Sequence, residues 1–259
     1  MGLSKPLLVS FALLGFSGAA SAATLNFESG VGLGGCAFLG VPSPQCTTAD
    51  LLEVAGFSEG PGTAALVVQD FRGVSGLGVR TRPGEDNDSG AHGEVNRRLD
   101  DTNEGLSILL IPGGGPQLVL SIEFSRLFGP GSGDILPESV LVRADTAFGA
   151  IAGTLQLDAN LQSAVWTWDP PDFPPTQSKQ AVNLSPSTVL GAGWWRIDRP
   201  FGFYPINRLT FEPGSNAADF TNDFAFVGIV TRTPVPEPGS LLLFACALVV
   251  LIPSAKLRR

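Results

Sequence analysis

The chain has 259 residues and a formal net charge of −8 at pH 7, with 24 acidic and 16 basic residues. A chain this acidic is repelled by phosphate backbones, so the charge excludes nucleic acid as a partner. The 32 glycines and 21 prolines favour short strands joined by turns.

The first 22 residues have the three parts of a secretory signal peptide in the usual order. Lys5 supplies the positive charge, residues 7–16 are apolar, and Ala20, Ser21 and Ala22 form a small-x-small cleavage site. The stretch has no amphipathic period, which argues against a core helix. We therefore expect residues 1–22 to be removed after Ala22 and the rest of the chain to be exported.

Two of the three cysteines are close together in the sequence. Cys36 and Cys46 flank the segment AFLGVPSPQ, while Cys246 lies in an apolar stretch near the C-terminus. An exported chain reaches a compartment that permits disulfides, and a metal site would need further Cys or His nearby. We predict that Cys36 and Cys46 form a disulfide and that Cys246 does not.

Strand signals dominate residues 23–231. Short β-rich runs bounded by Gly, Pro, Asn or Asp recur along this part of the chain: TAALVVQDF, LSILLI, QLVLSIEF, SVLVRA, TLQLDA, AVWTWD, WWRID, RLTFEP and FAFVGIVTR. A sustained helical period does not occur in the same part of the sequence. The pattern predicts one all-β domain over residues 23–231, an antiparallel β-sandwich of jelly-roll type.

The run LVLSIEF shows the alternation most clearly. Strand geometry places Leu118, Leu120, Ile122 and Phe124 on one face of the sheet. The intervening residues, among them Glu123, are predicted on the other face.

An acidic loop between two predicted strands is a candidate calcium site. It offers enough carboxylate oxygens for this ion, and calcium is the one cofactor that the sequence suggests. The candidate ligands are Asp86, Asp88, Asp100, Asp101 and Glu104. The stretch DNDSG begins like an EF-hand loop, but Gly90 and Arg97 occupy two ligand positions, so that motif fails. A solvated loop neutralised by neighbouring arginines is the alternative.

Other catalytic motifs are absent or incomplete in the sequence. Residues 30–35 read GVGLGG, but a dinucleotide site needs a strand before and a helix after these glycines. His92 is the only histidine, and the chain has no G-x-S-x-G elbow, so neither a serine triad nor a zinc centre is indicated. We predict no catalytic residue.

Trp166 and Trp168 are the candidate ligand-binding residues. Residues i and i+2 of a strand point the same way, so the two indoles share a face. They form either a stacking platform for sugars or part of the core. Trp194 and Trp195 point oppositely, so one of that pair is expected to be buried.

The C-terminal 28 residues, 232–259, have a distinct organisation. Pro236, Glu237 and Pro238 form an extended, non-helical strip because proline restricts its own φ and the residue before it. Residues 239–255 carry no charge and would span about 25 Å as a helix, slightly less than the hydrocarbon core of a bilayer. A basic tail follows, with the cations Lys256, Arg258 and Arg259 as a cytoplasmic anchor.

The order of PEP motif, apolar segment and basic tail resembles the PEP-CTERM sorting signal of Gram-negative bacteria. The resemblance covers only the C-terminal segment, in which Pro253 interrupts the apolar run and Leu257 dilutes the basic tail. It implies that the chain is a substrate of an exosortase, is held in the membrane by its C-terminal helix, and is then processed.

These features together predict an exported protein of the cell surface or extracellular matrix, non-catalytic, with a structural or carbohydrate-contacting role and exopolysaccharide as a candidate partner. The alternative is a secreted hydrolase acting on polysaccharide. A hydrolase of this kind needs two carboxylates facing each other across a cleft, and no sequence spacing identifies such a pair.

Overall fold

The computed structural model describes residues 22–38, 43–50, 52–59, 64–71, 74–80, 95–96, 103–110, 115–127, 137–158, 163–171, 175–185, 193–214 and 223–234. Most of Ser21–Pro234 therefore belongs to the described part, and this segment forms one contact unit. The predicted sorting motif, apolar segment and basic tail lie outside the described residues, as does the signal peptide except Ala22. Within the described part, no helix is long and apolar enough to cross a membrane.

The regular structure of the described residues is almost entirely β-strand. One 3₁₀ turn, η1, spans Gly34–Phe38. The strands are β1 (Ala22–Asn26), β2 (Gln45–Thr47), β3 (Glu53–Ser58), β4 (Ala65–Phe71), β5 (Val74–Arg80), β6 (Val95–Asn96), β7 (Glu104–Leu109), β8 (Gln117–Ser125), β9 (Ser139–Thr146), β10 (Gly149–Leu157), β11 (Ala164–Trp168), β12 (Gln177–Gln180), β13 (Val182–Asn183), β14 (Trp195–Asp198), β15 (Pro205–Pro213) and β16 (Asp223–Arg232). The predicted all-β class is confirmed.

The strands form one connected antiparallel sheet with two branches. One branch runs β12–β11–β10–β9–β15–β7–β3–β2, and the other runs β13–β14–β8–β16–β1. The β4–β5 hairpin joins β16 where Leu77 pairs with Phe226. The branches meet where Pro205 and Ile206 of β15 pair with Leu118 and Gln117 of β8. The predicted antiparallel pairing is therefore confirmed.

A cluster of phenylalanines joins the two branches through their side chains. Phe124 of β8 lies 5.7 Å from Phe211 of β15, centroid to centroid, and both are fully buried. Phe226 of β16 lies 5.2 Å from Phe211, and Phe224 lies 5.6 Å from Phe124. Ring pairs at these distances add favourable electrostatics to the burial of apolar area. The two branches therefore contribute to one shared set of buried side chains.

The alternation predicted for β8 is only partly right. Val119 pairs with Thr231 and Ser121 with Val230, so Leu120 is an extra residue, a β-bulge, relative to β16. A bulge reverses the in–out alternation of the strand beyond it. Ile122 and Phe124 point into the core as predicted, but Leu118 and Leu120 do not, and Val119 takes the inward position before the bulge.

The predicted disulfide is confirmed. Cys36 of η1 and Cys46 of β2 are bonded, with their Cα atoms 5.1 Å apart, and Cys36 is fully buried. Closing a loop of this length stabilises the folded chain by about 3 kcal/mol in the chain-entropy model. The bridge therefore ties the first turn of the domain to the β2 edge.

The strand directions bring several connections to one end of the sheet, called here the terminal end. β1 begins and β16 ends there, because Ala22 pairs with Arg232. The β9–β10 turn at residues 147–148 and the loop at residues 199–204 lie at the same end, because Pro205 pairs with Leu118, and Ile206 with Thr146. Arg232 in turn pairs with Leu118.

Gly153 of β10 makes room for the indole of Trp166. A Cβ atom at position 153 would lie 2.2 Å from a ring carbon of Trp166, whose side chain is fully buried. We expect Gly153→Ala to destabilise the domain by about 1–3 kcal/mol through overpacking. The control, Ala152→Val on the exposed face of the same strand, should change stability by less than about 0.5 kcal/mol. Urea unfolding measures both, and equal effects would contradict the assigned contact.

Candidate functional site

The loop between β14 and β15, residues 199–204, is built from two successive turns. Arg199 and Gly202 have positive φ values of 48° and 62°. The amide of Gly202 donates to the carbonyl of Arg199 (3.0 Å), and the amide of Tyr204 donates to the carbonyl of Phe201 (3.3 Å). The turns send Phe201 into the core and leave Phe203 74% exposed. A non-glycine residue in the left-handed region is uncommon, so Arg199 marks a constrained point of the loop.

Two side chains from the β11–β12 pair hold the start of this loop. Trp166 and Lys179 are direct neighbours in the strand register. The Trp166 Nε1–H donates to the carbonyl of Pro200 at 2.7 Å. Lys179 Nζ donates to the carbonyl of Arg199 at 2.6 Å and to that of Asp198. Three consecutive carbonyls are therefore bonded to the strand pair beneath them.

Burial lowers the pKa of Lys179 from its ordinary value, Asp198 opposes this change, and Arg199 adds to it. The amine is bonded to two backbone carbonyls and lies 5.1 Å from the centroid of the Trp168 ring. Lys179 therefore uses two of its N–H donors to hold backbone carbonyls at the start of the loop, and its charge lies over the ring of Trp168.

The loop and the ends of β11 and β12 enclose an open cleft of about 580 Å³, called here the aromatic cleft. Its lining residues are Trp168, Pro170, Gln177, Phe201, Gly202, Phe203 and Tyr204. Its volume lies in the range of about 300–1,000 Å³ that is usual for small-ligand sites. The guanidinium of Arg199 lies 5.1 Å from the centroid of Phe203, which places a cation at the rim.

The structure separates the two tryptophans proposed as a platform. Both are on the inward face of β11, but Trp166 is fully buried and packs edge-on against Phe201, with ring centroids 5.5 Å apart. Trp166 therefore belongs to the core, which was the alternative to a sugar platform, and it has no exposed ring face for a ligand. Trp168, two residues further along β11, is half-buried, packs against the edge of the core and lines the aromatic cleft.

The sequence did not identify the other aromatic residues of the cleft. Phe201, Phe203 and Tyr204 follow β14, more than 30 positions after Trp168, and only folding brings them together. The available signal was the local sequence FGFY, in which a glycine permits a turn between aromatic residues. The predicted burial of one residue of the Trp194–Trp195 pair is confirmed, since Trp195 is buried and Trp194 half-buried.

The calcium hypothesis remains untested at four of its five residues. Asp86, Asp88, Asp100 and Asp101 lie outside the described residues, whereas Glu104 is buried at the start of β7. Among the described residues, no group of three or more His, Cys, Asp or Glu side chains is placed to hold a metal ion.

A polar cluster, separate from the aromatic cleft, lies on the face of β8 that points away from the core. Glu123 Oε2 accepts hydrogen bonds from Asn26 Nδ2 and from Trp194 Nε1, both at 3.3 Å. Arg196 pairs with Glu123 in the strand register, and its Nε lies 2.9 Å from Asp198 Oδ1. The group combines two carboxylates with an arginine and an indole.

Burial raises the pKa of Glu123 above its ordinary value. The hydrogen bond from Trp194, the charge of Arg196 and the hydrogen bond from Asn26 oppose this shift, and the charge of Asp198 adds to it. The folded protein therefore binds the Glu123 proton more tightly than the unfolded chain does. Below the pKa that Glu123 has in the unfolded chain, its carboxyl group is neutral in both states and does not lower the free energy of unfolding. As the pH rises through its pKa in the folded protein, the group ionises in its partly buried position and the free energy of unfolding decreases.

We expect Glu123→Gln to become progressively more favourable with rising pH. The amide keeps an oxygen that accepts from Asn26 and Trp194 but has no charge to desolvate. The melting temperature of the variant minus that of the wild type should therefore increase between about pH 4 and about pH 7. The exposed residue Glu53 on β3 provides the control, Glu53→Gln, for which the same difference should stay nearly flat. A flat or falling difference for Glu123→Gln would refute the assignment.

No protein-family model, curated protein or solved structure matches this chain. The geometry of the aromatic cleft and the order of the terminal motifs are therefore the grounds for assigning a function.

Proposed function

We propose that this chain is an exported protein of the cell surface or extracellular matrix that contacts carbohydrate through the aromatic cleft and is sorted by an exosortase. The observation that carries the proposal is the cleft itself. Trp168, Phe203 and Tyr204 line an open cavity beside a loop whose first two carbonyls, those of Arg199 and Pro200, are bonded to β12 and β11. A preformed aromatic cavity of this kind binds ligand without first ordering its own loop.

The domain is best understood as a β-sandwich of jelly-roll type. The two strand branches, connected where β15 meets β8, bury a common set of side chains between them. The contacts from Phe124 and Phe226 to Phe211 cross that interior. Inward and outward residues alternate along β9 and β10, as expected for a sheet with one face in the core.

Aromatic side chains and pyranose sugars are chemically complementary. The C–H faces of a sugar ring carry a slight positive charge, and the face of an aromatic ring is negative. Gln177, at the same cleft, supplies amide donors and an acceptor for hydroxyl groups. The lining thus offers both the stacking surfaces and the polar group that a short oligosaccharide segment requires.

Charge favours a neutral sugar chain over an acidic one. The protein has a net charge of −8, so a polyanion is repelled at long range. Lys179, beside the cleft, is bonded to the backbone of the loop, and Arg199 lies over Phe203. A neutral polysaccharide avoids this repulsion. It forgoes only the ion pairs that a carboxylate of an acidic polysaccharide could form with these two cations, which already have partners in the protein.

The composition of the cleft favours binding over hydrolysis. None of the described residues that line it is a carboxylate, whereas a glycosidase needs two such groups across its cleft. Glu123 and Asp198 interact electrostatically, but these two carboxylates belong to the outward face of β8 and β14. Hydrolysis of a polysaccharide that is abolished by Glu123→Gln would support the alternative, a secreted hydrolase.

The sorting part of the proposal is supported by residue order at the C-terminus. β16 ends at Arg232, and Thr233 still donates to Gln117 Oε1 at 3.3 Å. The strip Pro236-Glu237-Pro238 therefore begins only a few residues beyond the last strand. A membrane-embedded enzyme needs an extended recognition segment close to the bilayer, and the prolines favour that conformation.

Removing a ring from the cleft should weaken carbohydrate binding. We expect Trp168→Ala and Phe203→Ala each to reduce affinity for neutral glucan oligosaccharides about tenfold, which corresponds to about 1.4 kcal/mol. The control is Phe148→Ala, since Phe148 is 69% exposed at the same end but does not line the cleft. Isothermal titration calorimetry measures the three variants. Binding that is unaffected by both cleft variants would place the sugar elsewhere.

Processing of the tail should depend on the proline strip. Replacing Pro236 and Pro238 with Ala permits helix to extend into the strip, so cells with an exosortase should keep the full-length form. Replacing Arg258 and Arg259 with Ser should instead weaken anchoring. Intact mass and membrane fractionation of the exported protein, in cells with and without an exosortase, measure both effects. A wild-type protein that retains its tail in the exosortase host would show that the segment is an ordinary anchor.

A further inference from the structure

The described chain leaves the last strand at the terminal end of the sheet. Arg232 of β16 pairs with Leu118 of β8, and Leu118 pairs with Pro205, the residue after the 199–204 loop. Residues 235–238 then separate Pro234 from the apolar segment that begins at Gly239. Four residues span at most about 14 Å when fully extended. The chain that connects the terminal end to the first residue of the apolar segment is therefore short.

The same end carries the most exposed large apolar side chains of the described residues. Phe203 is 74% exposed in the 199–204 loop, and Phe148 is 69% exposed in the β9–β10 turn. The other exposed large apolar side chains among the described residues are valines. Val31 pairs with Asn26 at the opposite end of β1, and Val182 pairs with Arg196 near the start of β14. The two phenylalanines are thus concentrated at one end.

We infer that Phe148 and Phe203 contact the lipid interface while the chain is anchored by residues 239–255. This inference rests on the proposed membrane span. The short connection keeps the terminal end within reach of the headgroup region, which extends several ångströms beyond the hydrocarbon core. Exposed phenylalanines can bury their apolar rings at the boundary between headgroups and acyl chains, and arginines beside them extend toward the headgroups. Arg199 over Phe203 and the exposed Arg232 supply such cations.

The lipid contact restricts the orientation of the domain relative to the bilayer before processing. With two phenylalanine tips in the interface, the terminal end faces the bilayer, and the strip at residues 235–238 stays near the membrane surface. Cleavage of the tail removes the anchor that keeps these tips at the bilayer. Because Phe203 also lines the aromatic cleft, the ring that serves carbohydrate binding is engaged by lipid until release.

Photo-crosslinking of the full chain tests the inference. A benzoylphenylalanine is placed at position 148, 203, 31 or 182, one position at a time, and the chain is reconstituted into vesicles of zwitterionic phosphatidylcholine. Positions 148 and 203 should form lipid adducts at least several-fold more often than positions 31 and 182. The valine positions are matched controls because they are also exposed but lie away from the terminal end.

Two results would overturn the inference in distinguishable ways. A chain that floats with the vesicles but forms no excess of lipid adducts at positions 148 and 203 is anchored without contact from these tips, so the inference alone fails. A chain that does not float with the vesicles has no membrane anchor, and the proposed span then fails with it.

Discussion

The hydrogen bond from the buried indole of Trp166 to the carbonyl of Pro200 links the hydrophobic core to the loop that forms the aromatic cleft. Both ends of this bond are removed from water, so breaking it leaves a buried donor and a buried acceptor without partners. Such a loss costs about 1–3 kcal/mol, more than the net gain from an average hydrogen bond. The position of Phe201, Phe203 and Tyr204 therefore depends on Trp166, whose own ring is fully buried and does not line the cleft.

Space for that tryptophan is provided by the neighbouring strand. Gly153 has no side chain where the Trp166 ring lies, and Phe201 covers the ring from the loop side. Trp195 is as deeply buried, but its Nε1 has no hydrogen-bond partner among the described residues. A buried donor without a partner lowers stability, so the two tryptophans make different contributions to the fold. Trp195 contributes apolar area, whereas Trp166 contributes area and also orients the loop.

The two proposals meet at the terminal end of the sheet. The cleft, both phenylalanine tips and the exit of β16 are brought together there by the pairing of β15 with β8 and β9. Phe203 belongs to the cleft and to the exposed tips. An exposed ring is costly in water, and each proposal gives it a partner at a different stage, lipid before processing and carbohydrate afterwards.

Local patterns were sufficient for the parts of this protein that depend on neighbouring residues. Alternation and turn residues predicted antiparallel strands, the short spacing of Cys36 and Cys46 predicted their bridge, and the opposite directions of Trp194 and Trp195 predicted that one is buried. The strand and tryptophan predictions follow from backbone geometry over a few positions, and the disulfide prediction follows from the short spacing of two cysteines in a chain expected to be exported.

Long-range pairing decided the rest. The bulge at Leu120 arises from the register between β8 and β16, so alternation within β8 alone assigned Leu118 and Leu120 to the wrong face. Trp166 and Trp168 share a face, but the extent of the covering layer decides that one is core and the other lines the cleft. The site could not be predicted from the sequence because its aromatic rings come from the end of β11 and from the 199–204 loop, which are more than 30 residues apart. Only the tertiary packing determines which of these rings face solvent.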